Sequence, residues 1–348
     1  MSSDFSTNAN YISNSIKNSM YMNSYDSKKV LTQIKKIDTK LPLENHEDNP
    51  KKNIISKLYE SEEMQKKIVK LLEDYEFKKP YRYCFLFHIV NLDSFKYLEN
   101  NSTIECNFIN PNNEFDFIST NLEKPTISYD TNEINIKFSK LIKNRNDDST
   151  SYKSPIIVSI FKEEKLLQIK FDGVNPEFTE DDYYSNIFLK TTKWIKNELE
   201  LDIIELNSLN IADKILKAKN DNPLISHQDI FEALIKANDK SNGKISLRAD
   251  DNNQLPIMAR LNNLINDFKC EDDKITLKNF IENIEKGRRI YHRGLTFKRT
   301  LSNRGIYEQT VTFRNNFTSL DFTLIHFYSN RQDKEKMDYV IKYIGNNR

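Results

Sequence analysis

Apolar residues recur at two different periods along this chain, and the change of period marks its organisation. Over 54–75, Met64, Ile68, Leu71, Leu72 and Tyr75 share one side of a helix. From Pro80 to Gly173 the pattern becomes short runs rich in Ile, Phe, Tyr and Val, at 83–90, 103–109, 114–118, 126–129, 134–141, 156–161 and 166–172. Clusters of Asn, Asp, Pro and Ser separate them, the signature of strands joined by turns. SPIIVSIFKEEKLLQIKFDG predicts an antiparallel hairpin with its charged KEEK at the tip. Strands at this spacing argue for an antiparallel sheet or small barrel rather than a doubly wound parallel sheet.

Helical spacing returns after Asp181. Ile187, Phe188, Thr191, Trp194, Ile195 and Leu199 form one apolar face, with the sole tryptophan as a core anchor. Further helices are predicted near 208–218, 226–239, 253–269 and 276–286. Ser226 and Thr276 stand as N-caps, and Pro256 lies in the first turn of the strongest stripe. Strands are predicted at 289–298, 309–314 and 320–328. A last helix follows Ser329, with Gln332 at capping-box spacing and Met337, Val340, Ile341 and Ile344 as its apolar face.

The fold class is therefore α+β. Five segments are expected: a flexible polar N-terminal segment over 1–50, a helix within 51–79, an antiparallel β domain over 80–175, an α-helical region over 176–287, and an Arg-rich β-α unit over 288–348. The first 25 or so residues read as a frayed tail, with Tyr11, Ile12, Ile16, Met20 and Tyr21 as the alternative, an amphipathic segment for a partner subunit.

Composition narrows the chemistry. With 348 residues, 21 Phe and 17 Tyr the chain has the volume for a core, while six glycines exclude glycine-rich nucleotide loops. No P-loop, dinucleotide or hydrolase-elbow motif occurs. Cys84, Cys106 and Cys270 lack metal-type spacing and fit reduced thiols of the cytoplasm. The N-terminus has no basic stretch leading into an apolar run, and no stretch has the length of a membrane span, so no membrane association is expected. His88 and His326 lie within apolar strands and read as core residues; no cofactor is implied.

Charge changes the picture. Lys+Arg 52 against Asp+Glu 51 leaves a net charge of only +1. From Lys286 to Arg314, however, Lys286, Arg288, Arg289, Arg293, Lys298, Arg299, Arg304 and Arg314 face Glu308 alone, a local excess of seven positive charges. Guanidinium groups grip phosphates bidentately and stack on rings. Tyr291, His292 and Phe297 are interleaved with them, the mixture that single-stranded nucleic-acid grooves use. Alternation puts Arg289, Tyr291, Arg293, Leu295, Phe297 and Arg299 on one side of a strand, and Arg288, His292 and Lys298 on the other. Cations on both sides suggest an edge strand and loop, with Arg304 beside Gly305 near a phosphate.

The function expected first is nucleic-acid binding, to DNA or RNA, by a non-catalytic subunit of a larger intracellular assembly, of the kind found in prokaryotic antiviral defence. In that reading the arginine segment grips the backbone, and Tyr291, His292 and Phe297 stack on bases or pack beneath. A structural adaptor meeting an acidic protein partner is the second reading. Ion pairing within the chain, to Asp172, Glu177, Glu180, Asp181 or Asp182, is the plain explanation of the cluster. A Mg²⁺-dependent nuclease is the third functional reading, with Glu163, Lys165 and Asp148 as its weak candidates and Asp130, Glu133 and Lys137 as a looser set. Asp250 and Asp251 read as helix caps rather than ligands.

Overall fold

A computed structural model describes residues 2–19, 21–37, 49–92, 107–108, 117–129, 132–147, 150–178, 181–221, 229–238, 244–248, 264–265, 267–287, 289–301, 305–315, 322–328 and 333–348. The fold is α+β and mostly antiparallel, in two compact units, Met1–Ile204 and Glu205–Arg348.

The first unit opens with helices α1 (Ser2–Lys17), α2 (Ser24–Ile37), α3 (Pro50–Leu58) and α4 (Glu62–Lys78). Asn49 accepts from the Lys52 amide to start α3, with Pro50 in its first turn, and Ser61 accepts from the Met64 amide to start α4. The frayed tail expected at the N-terminus is corrected here. Ile12, Ile16, Val30 and Ile34 pack with Ile54, Leu58, Ile68 and Leu72 in one apolar cluster. The amphipathic side of this segment is thus covered by the chain's own helices, which is why it is ordered.

Strands β1 (Tyr83–Ile89), β2 (Asn107–Phe108), β3 (Ile118–Ser119), β4 (Thr126–Tyr129), β5 (Glu133–Ile142), β6 (Tyr152–Phe161) and β7 (Leu166–Phe171) follow. They run in the order β1-β7-β6-β5-β4-β2, with β3 beside β5 and β8 (Ile203–Glu205) beside β1. Only the β2–β4 and β3–β5 pairs are recorded as parallel. The KEEK tip is the turn between β6 and β7, closed by Phe161 opposite Leu166. Lys165 takes φ 52 there. Sequence-predicted strands at 103–109 and 114–118 fall largely outside the described residues.

One side of this sheet meets the N-terminal helices. Ser15 on α1 donates to the Lys153 carbonyl at 2.8 Å. The fully buried Glu76 on α4 accepts from Lys137 and Lys153, each at 2.7 Å, and from the Tyr21 hydroxyl at 2.5 Å. The other side is aromatic and meets α5 (Tyr183–Glu198). Phe85 contacts Phe188 edge-on at 5.3 Å, and Phe138 contacts Trp194 edge-on at 4.9 Å. Trp194 is a packing residue, as its place in the stripe suggested.

The second unit contains α6 (Ser208–Asp221), β9 (Ile230–Asn238), β10 (Lys244–Arg248), α7 (Glu271–Gly287), β11 (Arg289–Leu301), β12 (Gly305–Arg314), β13 (Leu324–Tyr328) and α8 (Lys334–Asn346). Its strands run β10-β9-β11-β12-β13, with every recorded pair antiparallel. Two expectations are corrected. Residues 230–238, read as part of a helix, form strand β9. A bulge between the Gly294–Leu234 and Leu295–Glu232 pairs puts Phe231 and Leu234 on one side, and Ile230 and Ile235 on the other. Apolar residues on both sides of a bulged strand reproduce the three- and four-residue spacing of a helix. Second, β11 is an interior strand with β9 and β12 as neighbours, not an edge.

The final helix starts at Asp333, whose side chain accepts from the Glu335 amide, and buries Met337, Val340, Ile341 and Ile344 as expected. Ser329, Gln332 and most of the 253–269 stripe lie outside the described residues. No described helix is long and apolar enough to cross a membrane.

Candidate nucleic-acid interface

Strand β11 carries most of the basic cluster, and its two sides do different things. Arg293, Leu295 and Phe297 point to the side covered by helices. There Leu295, Phe297, Val311, Phe313, Ile325 and Phe327 are buried, and Phe297 meets the Tyr343 ring of α8 at 5.7 Å. Arg293 enters this core with its charge met from within the chain. Its Nε lies 2.6 Å from the Asp213 carboxylate on α6, and its Nη1 bonds Glu232 on β9. Burial holds the Asp213 carboxyl above its ordinary range, while the Arg293 guanidinium pulls it down. The carboxylates that pair Arg293 are thus not the five acidic residues suggested by the sequence; Asp172, for instance, pairs with Lys79 at 2.5 Å.

The opposite side is polar. Residues facing each other across antiparallel strands share a side, and the pairing gives three successive rows. The first is Lys236–His292–Arg314, the second Leu234–Gly294–Thr312–His326, and the third Phe231–Thr296–Thr310–Tyr328. None of these positions is acidic. On this side of the paired strands, among the described residues, the nearest acidic position is Glu308, in the next row, opposite Lys298. Lys298 also lies over the Phe231 ring, 5.2 Å from its centre.

His292 is the centre of the first row. It is 7% exposed, and its Nε2 is buried without a hydrogen-bond partner. Burial lowers its pKa to about 4, with Lys236, Arg314 and His326 adding repulsion, so the ring is neutral at pH 7. Arg314 is exposed, Lys236 and His326 are half-buried, and Tyr328 is 48% exposed with its ring 4.0 Å from that of His326. Thr296 and Thr310 share a hydroxyl hydrogen bond of 2.9 Å. Gly294 keeps the second row tight: a Cβ there would stand 2.9 Å from the Leu234 Cβ.

The sequence-derived residues are therefore divided. His292, Lys298 and Arg314 share the polar side. Arg293 and Phe297 are committed to the core, and Tyr291 is half-buried at the irregularity between Ile290 and His292. Arg289 and Arg299 contribute backbone to β11, their side chains lying outside the described residues, as do Arg288 and Arg304 entirely. Lys236 and His326 were missed. The helix-like spacing of β9 hides Lys236 in the sequence, and apolar sequence neighbours give His326 the look of a core residue. Both are found once the strands are paired, by alternation alone.

Of the nuclease candidates, Glu163, Lys165, Glu133 and Lys137 are described. Glu163 and Lys165 are exposed in the β6–β7 turn, where the Lys165 carbonyl lies 3.1 Å from His88 Nδ1. Asp148 and Asp130 lie outside the described residues. Lys137 is bound to Glu76, and Glu133 lies 3.8 Å from Lys170. No group of three His, Cys, Asp or Glu side chains suited to a metal occurs among the described residues.

Comparison with protein-family models, curated proteins and solved structures gives no match.

Proposed function

We propose that this chain binds nucleic acid through the polar side of its C-terminal sheet, with Lys236, Arg314 and Lys298 on the phosphate backbone and Tyr328 beside it for stacking. The observation that carries this reading is the Lys236–His292–Arg314 row. Lys236 and Arg314 flank the neutral His292 from the two neighbouring strands, on the side of β11 opposite to that of Arg293, whose charge is met by Asp213 and Glu232. The positions of the polar rows hold no acidic residue, and a basic row of this kind suits a polyanion.

The test is fluorescence anisotropy with labelled single-stranded and duplex DNA and RNA across a salt series. Binding is expected to weaken with a linear log–log salt slope, about 0.7–0.9 per phosphate contact. The double variant Lys236→Glu/Arg314→Glu is expected to lose at least tenfold in affinity and to lower that slope by about two contacts' worth. No binding at low salt, or a double variant that binds like the wild type, sinks the reading. In the first case an acidic protein partner becomes the better use of the row.

A further inference from the structure

We propose that a cavity of the first unit is a binding site for a mononucleotide, with the base against Phe178 and the phosphate at Lys143. The site uses residues of the first unit only and does not depend on the nucleic-acid reading.

The cavity has a volume of about 470 Å³ and lies at the end of β5. Small-ligand sites occupy roughly 300–1,000 Å³, so a mononucleotide is within its capacity. Local structure fixes the walls. Ser119 pairs with Lys140 in the parallel β3–β5 contact, and the next residues, Thr120 and Leu141, both line the cavity. Past β5 the chain turns, with Asn144 accepting from the Asn146 amide at 2.8 Å. The Arg145 amide donates to the Glu177 carbonyl at 3.1 Å, which ties this turn to the 3₁₀ turn of Pro176–Phe178. The Tyr152 ring meets Phe178 edge-on at 4.9 Å and steadies it.

The lining is apolar on one part and basic on another. Leu141 and Phe178 are half-buried, while Lys143 and Arg145 are exposed. Arg145 Nη2 lies 2.8 Å from Asp181 Oδ1, so that carboxylate offsets the guanidinium and Lys143 leaves the lining net positive. The Asn144 amide and the Thr120 hydroxyl each supply a donor and an acceptor. An aromatic ring, a cation, an amide and a hydroxyl around one space suit a polar planar ring that carries an anion. A base stacks on Phe178, its edge and the ribose meet Asn144 and Thr120, and the phosphate, an anion at neutral pH, meets the Lys143 ammonium.

Isothermal titration calorimetry of the full chain with the four ribonucleoside 5′-monophosphates tests the site. The matching nucleoside, inorganic phosphate and benzoate serve as comparisons. At least one monophosphate is expected to bind at millimolar concentration or below. The nucleoside lacks the anion and inorganic phosphate lacks the ring, so each is expected to bind about tenfold more weakly. Lys143→Glu, at an exposed position, is expected to weaken the monophosphate about tenfold. Phe178→Leu keeps an apolar group against Tyr152 and is expected to weaken it about fivefold or more.

The proposal is overturned if no monophosphate binds at millimolar concentration, or if both variants, folded by circular dichroism, bind like the wild type. Inorganic phosphate or benzoate binding as tightly as the monophosphate removes the nucleotide as ligand. Binding that Lys236→Glu/Arg314→Glu abolishes and Lys143→Glu spares moves the nucleotide to the C-terminal sheet and removes this site. Mononucleotide binding lost in Lys143→Glu, with no oligonucleotide binding at low salt, keeps this site and removes the nucleic-acid reading.

Discussion

His292 and Arg293 are neighbours in sequence and opposites in environment, because consecutive side chains of a strand leave by opposite sides. The folded-state pKa of His292, about 4, is below the ordinary 6.5, so between these values the unfolded chain binds more protons than the folded one. Its contribution to stability is complete above pH 6.5 and is lost as pH falls toward 4. A urea-unfolding series from pH 7 to 4 is expected to show a shallower acid loss in His292→Gln than in the wild type; equal slopes would contradict the burial of a neutral ring. Arg293 makes the opposite case. Arg293→Ala strands Asp213 and Glu232 and is expected to cost roughly 1–3 kcal/mol, below the 3–5 kcal/mol of a fully buried pair because Asp213 keeps 42% exposure. Arg293→Ala with oligonucleotide affinity unchanged per folded molecule would confirm that this arginine serves the core; a stable variant with lost binding would refute it.

At the scale of the element, the bulged β9–β11 pair decides whether the polar rows exist. A methyl group on Gly294 would press on Leu234 from 2.9 Å and on its backbone nitrogen from 3.2 Å. Gly294→Ala is therefore expected to destabilise by about 1–3 kcal/mol and to disturb the chemical shifts of β9; a neutral substitution would mean that β9 lies elsewhere. This pair also shows what the sequence made legible. The alternation along β11 is readable from His292 to Arg299, and so is the hairpin with its KEEK turn, because each depends on neighbours in sequence; an irregularity between Ile290 and His292 breaks it before that and puts the Arg289 position on the side of His292. The register that sets Lys236 beside His292 depends on residues more than 50 positions apart, and no local pattern encodes it. The helical reading of 226–239 failed for the same reason: burial on both sides and one bulge imitate a helix stripe. The arginines mark the segment that forms β11 and β12, but the partners of Arg293, Asp213 and Glu232, are revealed only by packing.

At the scale of the molecule, the two units solve the burial of charge differently. In the first, Glu76 gathers Lys137, Lys153 and Tyr21, with Glu73 also on Lys137, and so ties the N-terminal helices to the sheet through charge-assisted contacts. Burial and the Glu76 carboxylate together hold the Tyr21 phenol far above its ordinary range, so it remains a donor at any working pH. Glu76→Ala leaves two buried lysines without this carboxylate and is expected to cost about 3–5 kcal/mol, lowering thermal stability while leaving the C-terminal sheet's chemistry unaltered. In the second unit Arg293 is met by Asp213 and Glu232, while the positions of the polar rows hold no acidic residue, and the proposed function puts its ligand on those rows. Photo-cross-linking with 4-thiouridine RNA and bromodeoxyuridine DNA, read by peptide mass spectrometry, tests that difference most directly. Cross-links concentrated on His326, Tyr328 and their neighbours on β9, β11 and β12 are the expected result. Cross-links confined to the first unit, or spread over the surface without regard to Lys236 and Arg314, would contradict it.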